Sequence, residues 1–259
     1  MTDWSVQGLI PKTHAILLLG QFHSGIVWVA EQLAVCVASG QKFLDQFQVE
    51  RQPVIVIDEE SGTNSLIRRF YRLARGLEVD LTRIPLLCYS RCGFVLWDSY
   101  KRKWLKDLIK QQRGSPLVII HSLDRVMTHE KPDVTGIGTR AGEFWREVRD
   151  AGATVVMVHQ TGMKRKASIE DWDPTYLAPG STMLVEDCDT AICTFRAPVA
   201  RTEFVIKPQE RRVKLKIRRP FSIVLQEDES RSWAKLVVTE ELPELASNNA
   251  RHIRSLVSQ

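Results

Sequence analysis

A chain of 259 residues with 44% apolar and 26% charged side chains is long enough to bury a full core, which excludes a fibrous or unstructured protein. Its apolar runs are too short to cross a bilayer, and Met1 to Pro11 lacks the charged-then-apolar layout of an export signal, so a cytoplasmic chain is expected. A net charge of +5 permits nucleic acid without demanding it, and five cysteines with no C-x-x-C pair are expected to be free, mostly buried thiols.

Met1 to Lys12 reads as a lead-in ending near Pro11. Ala15 to Leu19 is an unbroken apolar run, the pattern of a strand covered on both faces. Gly20-Gln21-Phe22-His23-Ser24-Gly25 follows, then an apolar, helix-forming segment to Ala38 that stops at Ser39-Gly40. This is the strand–loop–helix frame of a phosphate-binding loop, with the two outer glycines of G-x-x-x-x-G-K-[ST] at the right spacing. The lysine and the hydroxyl residue are missing, and Ile26 and Val27 stand in their positions.

A polar connection, Gln41 to Gln52, leads to a strand Val54–Ile57 that runs into Asp58-Glu59-Glu60. Ser61-Gly62-Thr63-Asn64 supplies turn and cap residues for a basic amphipathic helix carrying Leu66, Ile67, Phe70, Leu73 and Ala74, stopped by Gly76. A strand around Ile84 to Leu87 precedes a helix from about Ser99 to Gln112, with Trp104, Leu105, Leu108 and Ile109 inward. Leu117–Ile120 is another buried strand, ending at His121-Ser122-Leu123-Asp124. A polar loop, Met127 to Gly138, leads to a helix holding Phe144, Trp145 and Val148, and Ala153–Val158 forms a strand ending at His159-Gln160. Trp97, Trp104 and Trp145 have apolar neighbours and are expected in the core.

After a polar loop, Thr161 to Gly180, containing Lys164-Arg165-Lys166, the pattern changes. Thr190–Phe195, Glu203–Ile206, Val213–Ile217, Ser222–Leu225 and Ala234–Val238 read as short strands of an antiparallel meander. The whole is an α/β chain with a mostly parallel sheet, helices on both faces and a C-terminal β-meander. Ligands of such sheets lie beyond the carboxyl ends of the strands, where Gly20–Val27, Glu60, His121 and His159 fall.

His121, His159, Asp124 and Glu60 are chemically able to hold a metal, but no local histidine spacing supports it, so hydrogen-bonded histidines and no metal are expected. His23 is expected to be solvated or to donate to a bound anion. Alternation in Arg211 to Arg219 sets Val213, Leu215 and Ile217 against Lys214, Lys216 and Arg218. It reads either as an edge strand guarded by cations or as a nucleic-acid or subunit contact built from Arg212, Lys214, Lys216, Arg218 and Arg219, with Lys164, Arg165 and Lys166 elsewhere.

From about Gly8 to about Val238 the order and spacing of these features resemble the RecA-like ATPases of the plasmid RepA helicase type, which are hexameric and related to DnaB. Leu9-Ile10-Pro11-Lys12, Ala38-Ser39-Gly40, Asp58-Glu59-Glu60 before an arginine-rich helix, His159-Gln160, and Gly180-Ser181 followed by Asp189 carry the resemblance. It implies a RecA-like domain over residues 1–238; the tail over 239–259, beyond the resemblance, reads as helical from its own residues. It assigns the catalytic glutamate to Glu60 and the phosphate-sensing strand end to His159 and Gln160. It assigns the phosphate-gripping lysine to Ile26, the magnesium-binding hydroxyl to Val27, the Walker B aspartate to His121, and an arginine to Pro179. Loss of one well-placed charge-stabilising group costs roughly 10²–10³ in rate, and groups acting as a unit fail together. The expectation is therefore a subunit that does not hydrolyse ATP and needs no cofactor, associated with DNA or assembled with itself or with an active ATPase. The alternative is an ATP- and Mg²⁺-dependent helicase-type motor whose lysine comes from another segment or subunit.

Overall fold

The computed structural model describes residues 2–127, 134–161, 182–197, 201–240 and 242. At its centre are the apolar runs legible in the sequence. Strands β3 (Ala15–Gln21), β4 (Val54–Asp58), β5 (Leu86–Ser90), β6 (Leu117–His121), β7 (Thr154–Thr161) and β8 (Thr190–Arg196) pair in parallel. Strands β9 (Glu203–Glu210), β10 (Phe221–Asp228) and β11 (Trp233–Val238) continue the sheet antiparallel. Among the described residues the sheet order is β11-β10-β9-β8-β3-β7-β6-β4-β5.

Alternate residues of the parallel strands feed two cores. Ile16, Leu18, Val54 and Val56 pack with helices α1 (Ile26–Ser39) and α2 (Thr63–Gly76). Leu17, Leu19, Ile55 and Ile57 pack with α3 (Ser99–Lys110), α4 (Leu123–Val126) and α5 (Val134–Asp150). A short helix α6 (Thr182–Asp187) precedes β8. All five cysteines are free; Cys36, Cys188 and Cys193 are buried, Cys92 is half-buried, and Cys88 lies exposed on β5.

Helix α1 is buried on nearly every side, including Glu31 and Gln32. A helix enclosed in this way needs a second cover besides the sheet, and the C-terminal hairpin β10–β11 supplies it. Gln32 Nε2 donates to the Leu236 carbonyl at 2.7 Å and Gln32 Oε1 accepts from Leu236 N–H at 2.6 Å, so one side chain closes the edge of β11. Replacing Gln32 by Ala strands two backbone groups, each worth about 1–3 kcal/mol when buried unpaired, and urea unfolding is expected to show a loss of about 2–4 kcal/mol.

Several boundaries differ from the sequence reading. The N-terminal lead-in forms a small antiparallel ribbon, β1 (Trp4–Val6) with β2 (Ile10–Pro11). β5 begins at Leu86 rather than Ile84, because Pro85 has no N–H and serves only as acceptor to Val54 N–H. Residues 134–138, read as loop, are already helical in α5. β9 runs past Ile206 through Pro208: there it pairs with β8 alone, so the missing N–H of proline interrupts no ladder. Val213–Ile217 is not a strand. The N–H of Leu215 goes to the Glu210 carboxylate and those of Lys216 and Ile217 to the Gly8 carbonyl, so no ladder forms, although Leu215 and Ile217 are buried as the alternation required. The predicted helical tail and Lys164, Arg165 and Lys166 lie outside the described residues.

Candidate functional site

The loop between β3 and α1 is fixed by close packing. Ser24 N–H donates to the Gln21 carbonyl at 3.1 Å, His23 takes a φ of 63°, and Gly25 a φ of 74°. Ser24 is fully buried and its Oγ lies 2.9 Å from Thr194 Oγ1 of β8. A Cβ on Gly20 would sit 2.3 Å from both hydroxyls, and one on Gly25 would sit 2.8 Å from the ring of Phe204 on β9. Both glycines that mark the motif are thus demanded by neighbouring side chains, and Gly25 by its left-handed backbone as well. Ile26, first residue of α1, is buried in the core; Val27 is half-buried, and Phe22 at the tip is 56% exposed. Gln160 of β7 pairs beside Gly20, on the sheet face that carries α1.

Beneath α1 the strand ends carry a network of charges. Asp58, the last residue of β4, accepts at Oδ1 from the N–H groups of Glu60 (2.9 Å) and Ser61 (2.7 Å). His121, the last residue of β6, stands opposite it in the ladder, with Nδ1 3.3 Å from Asp58 Oδ1 and Nε2 3.7 Å from Glu60 Oε2. Arg69 of α2 reaches in from the side. Its Nε donates to Glu31 Oε1 and Oε2 at 2.8 and 2.9 Å, its Nη2 to Ser61 Oγ at 2.8 Å, and the same nitrogen lies 3.7 Å from Asp58 Oδ2. Burial pushes the Glu31 carboxyl up to about 7 against the pull of Arg69. Burial also works against the Asp58 carboxylate, but His121 and the Ser61 N–H outweigh it and hold Asp58 at about 2.

The sequence reading set Glu60 and His121 at one edge, and they are brought together there. It also grouped them with His159 and Asp124, and the sheet separates the two pairs. His121 falls on the α1 face, whereas His159 falls on the opposite face, with Nδ1 3.3 Å from Asp124 Oδ2 of α4. A period of two along a strand makes neighbouring residues diverge in this way. Among the described residues no group of three or more such side chains could hold a metal ion. The histidines are mostly unsatisfied, contrary to the expectation of hydrogen-bonded rings: His121 Nε2 and both ring nitrogens of His159 lack a hydrogen-bond partner among the described residues. Glu31 and Arg69 were missed. A carboxylate inside an otherwise apolar helix was the available signal for Glu31, since burial of that charge demands a cation.

The basic C-terminal residues are largely tied down. Arg212 pairs with Asp187, Arg218 with Glu210 at 2.9 Å, and Arg219 with Glu240 at 3.2 Å. Lys216 lies against Gly8, and Lys214 is exposed. Of the tryptophans, Trp145 is fully buried, Trp104 meets Tyr89 edge-on at 5.0 Å, and Trp97 carries Arg140 over its ring at 5.2 Å.

A parallel sheet with helices on both faces, a glycine-bracketed loop between the first parallel strand and its helix, and charged strand ends beneath that helix define a RecA-like α/β protein. The AAA_25 family model, described as an AAA domain, matches residues 1–166, and the chain belongs to that family. Among solved structures it resembles the ATPase domain of G40P at 13% identity, with a TM-score of 0.62 over 88% of this chain and 86% of that one. It also resembles a DnaB-like replicative helicase, solved in a study of its interactions with primase, at 11% identity. The TM-score is 0.64, over 86% of this chain and 57% of that one. No curated protein matches this sequence. Among the described residues no helix is long and apolar enough to cross a membrane.

Proposed function

We propose that this chain is a non-hydrolysing RecA-like subunit that works as a DNA-associated or oligomeric assembly component rather than as a motor. One observation carries the reading: the carboxylate that ends β4 is already engaged by protein groups. Asp58 spends Oδ1 on two N–H groups and His121 and has Arg69 near Oδ2, while Arg69 shares its Nε–H between both Glu31 carboxylate oxygens. Mg²⁺ prefers carboxylate, hydroxyl and phosphate oxygens; apolar Ile26 and Val27 and the imidazole of His121 are a poor donor set for it. Phosphoryl transfer relies on charge neutralisation and positioning, and with Ile26 buried the loop offers a triphosphate its backbone N–H groups and the start of α1. Assembly is supported by β5, which pairs only with β4 among the described residues and exposes Leu87.

The test is phosphate release by purified protein, with and without single-stranded DNA, alongside binding of a fluorescent ATP analogue. No turnover above buffer and no Mg²⁺-dependent binding are expected. Robust turnover would end the reading and favour a motor whose lysine comes from another segment or subunit.

A further inference from the structure

Helix α2 carries four arginines and no acidic residue over 14 positions. Two of them turn inward: Arg69 to Glu31, and Arg72 to Glu227 at 2.7 Å and over the ring of Trp28 at 5.5 Å. Asn64, Arg68, Tyr71 and Arg75 follow helical spacing along the opposite, outward face, while Leu66, Phe70, Leu73 and Ala74 are buried. Arg68 and Arg75 are exposed, with no ion-pair partner among the described residues. Tyr71, between them, is 59% exposed, and Ile67 beside it 46%. Glu78, beyond the helix end, is the nearest acid in sequence. Tyr71 thus turns most of its phenol ring to water between two guanidiniums that have no ion-pair partner among the described residues. The chemistry of this face suits a polyanion with exposed ring faces: cations for phosphates and an aromatic surface for an unpaired base.

We propose that the outward face of α2 binds single-stranded nucleic acid, with Tyr71 stacking on a base and Arg68 and Arg75, about 10 Å apart along the helix axis, contacting phosphates on either side. This rests on the reading of the chain as DNA-associated and assigns that association to a surface other than the basic C-terminal segment. Charge complementarity selects the occupant, and the exposed ring selects single strands over duplex, whose bases are already stacked.

The experiment is fluorescence anisotropy of the full chain with labelled oligothymidylate and with a duplex of equal length, across a salt series. R68A/R75A is expected to bind the single strand roughly tenfold more weakly, with the magnitude of the salt slope reduced by about 1.4 for two lost phosphate contacts. Y71A is expected to weaken it roughly tenfold while Y71F retains binding. All these positions are exposed, and circular dichroism confirms that the variants fold. Wild-type binding that the double variant leaves unchanged, or a preference for duplex with Y71A silent, overturns the α2 assignment alone. Absence of wild-type binding overturns the DNA-associated reading with it.

Discussion

Replacing Arg69 by Met is expected to destabilise the protein by about 3–5 kcal/mol near pH 8, the usual effect of removing one partner from a buried ion pair. The guanidinium is the only cation within ion-pair distance of Glu31 among the described residues, so the variant leaves that buried carboxylate uncompensated and also takes a cation from beside Asp58. The loss depends on pH. Glu31 is raised in the folded state, from 4.5 to about 7. Its contribution is therefore fully present below pH 4.5 and is lost as pH rises through 7. Wild-type stability, read by urea unfolding, should fall between pH 5 and pH 8, and Glu31→Gln should flatten that slope. Met at position 69 should be better tolerated at pH 5, where Glu31 is protonated and needs no partner. Asp58 has the opposite sign: depressed from 3.8 to about 2, its contribution is present above 3.8 and lost only as pH falls through 2. An equal loss for the Arg69 variant at both pH values would show that Glu31 is ionised throughout.

Gly76→Ala is expected to lower stability by about 2–3 kcal/mol, although alanine is the better helix former by about 1 kcal/mol. Gly76 closes α2 where the helix crosses β11, and an added Cβ would lie 2.3 Å from the Ala234 carbonyl oxygen and 2.8 Å from its carbon. Both are backbone atoms and cannot swing aside. The variant must push α2 off the C-terminal hairpin, which also loosens the Arg72–Glu227 pair. Gly62→Ala, at the other end of the helix, meets nothing within 4 Å and has an extended backbone that any residue adopts. It is the control and should stay within about 0.5 kcal/mol of wild type. Thermal unfolding of the two variants side by side separates the contact from the helix-propensity effect.

The sequence by itself determined the parallel strands, the loop and the class of fold. Unbroken apolar runs such as Ala15–Leu19 and Leu117–Ile120 have one stable use, as strands covered on both sides, and the glycines at 20 and 25 mark the turn into a buried helix. The adjacency of Glu60 and His121 at the carboxyl edge was legible too, because both sit at strand ends. Only the tertiary structure decided which face each side chain takes and what neutralises it. Hydrophobic pattern fixes which residues are inside but carries no information about which distant charge meets which. Nothing in the local sequence links Glu31 to Arg69 across 38 positions, or Gln32 to the edge of β11 across 204. The same limit explains Val213–Ile217, whose alternating burial was read correctly while its backbone bonds went to Gly8 and Glu210 instead of to a strand.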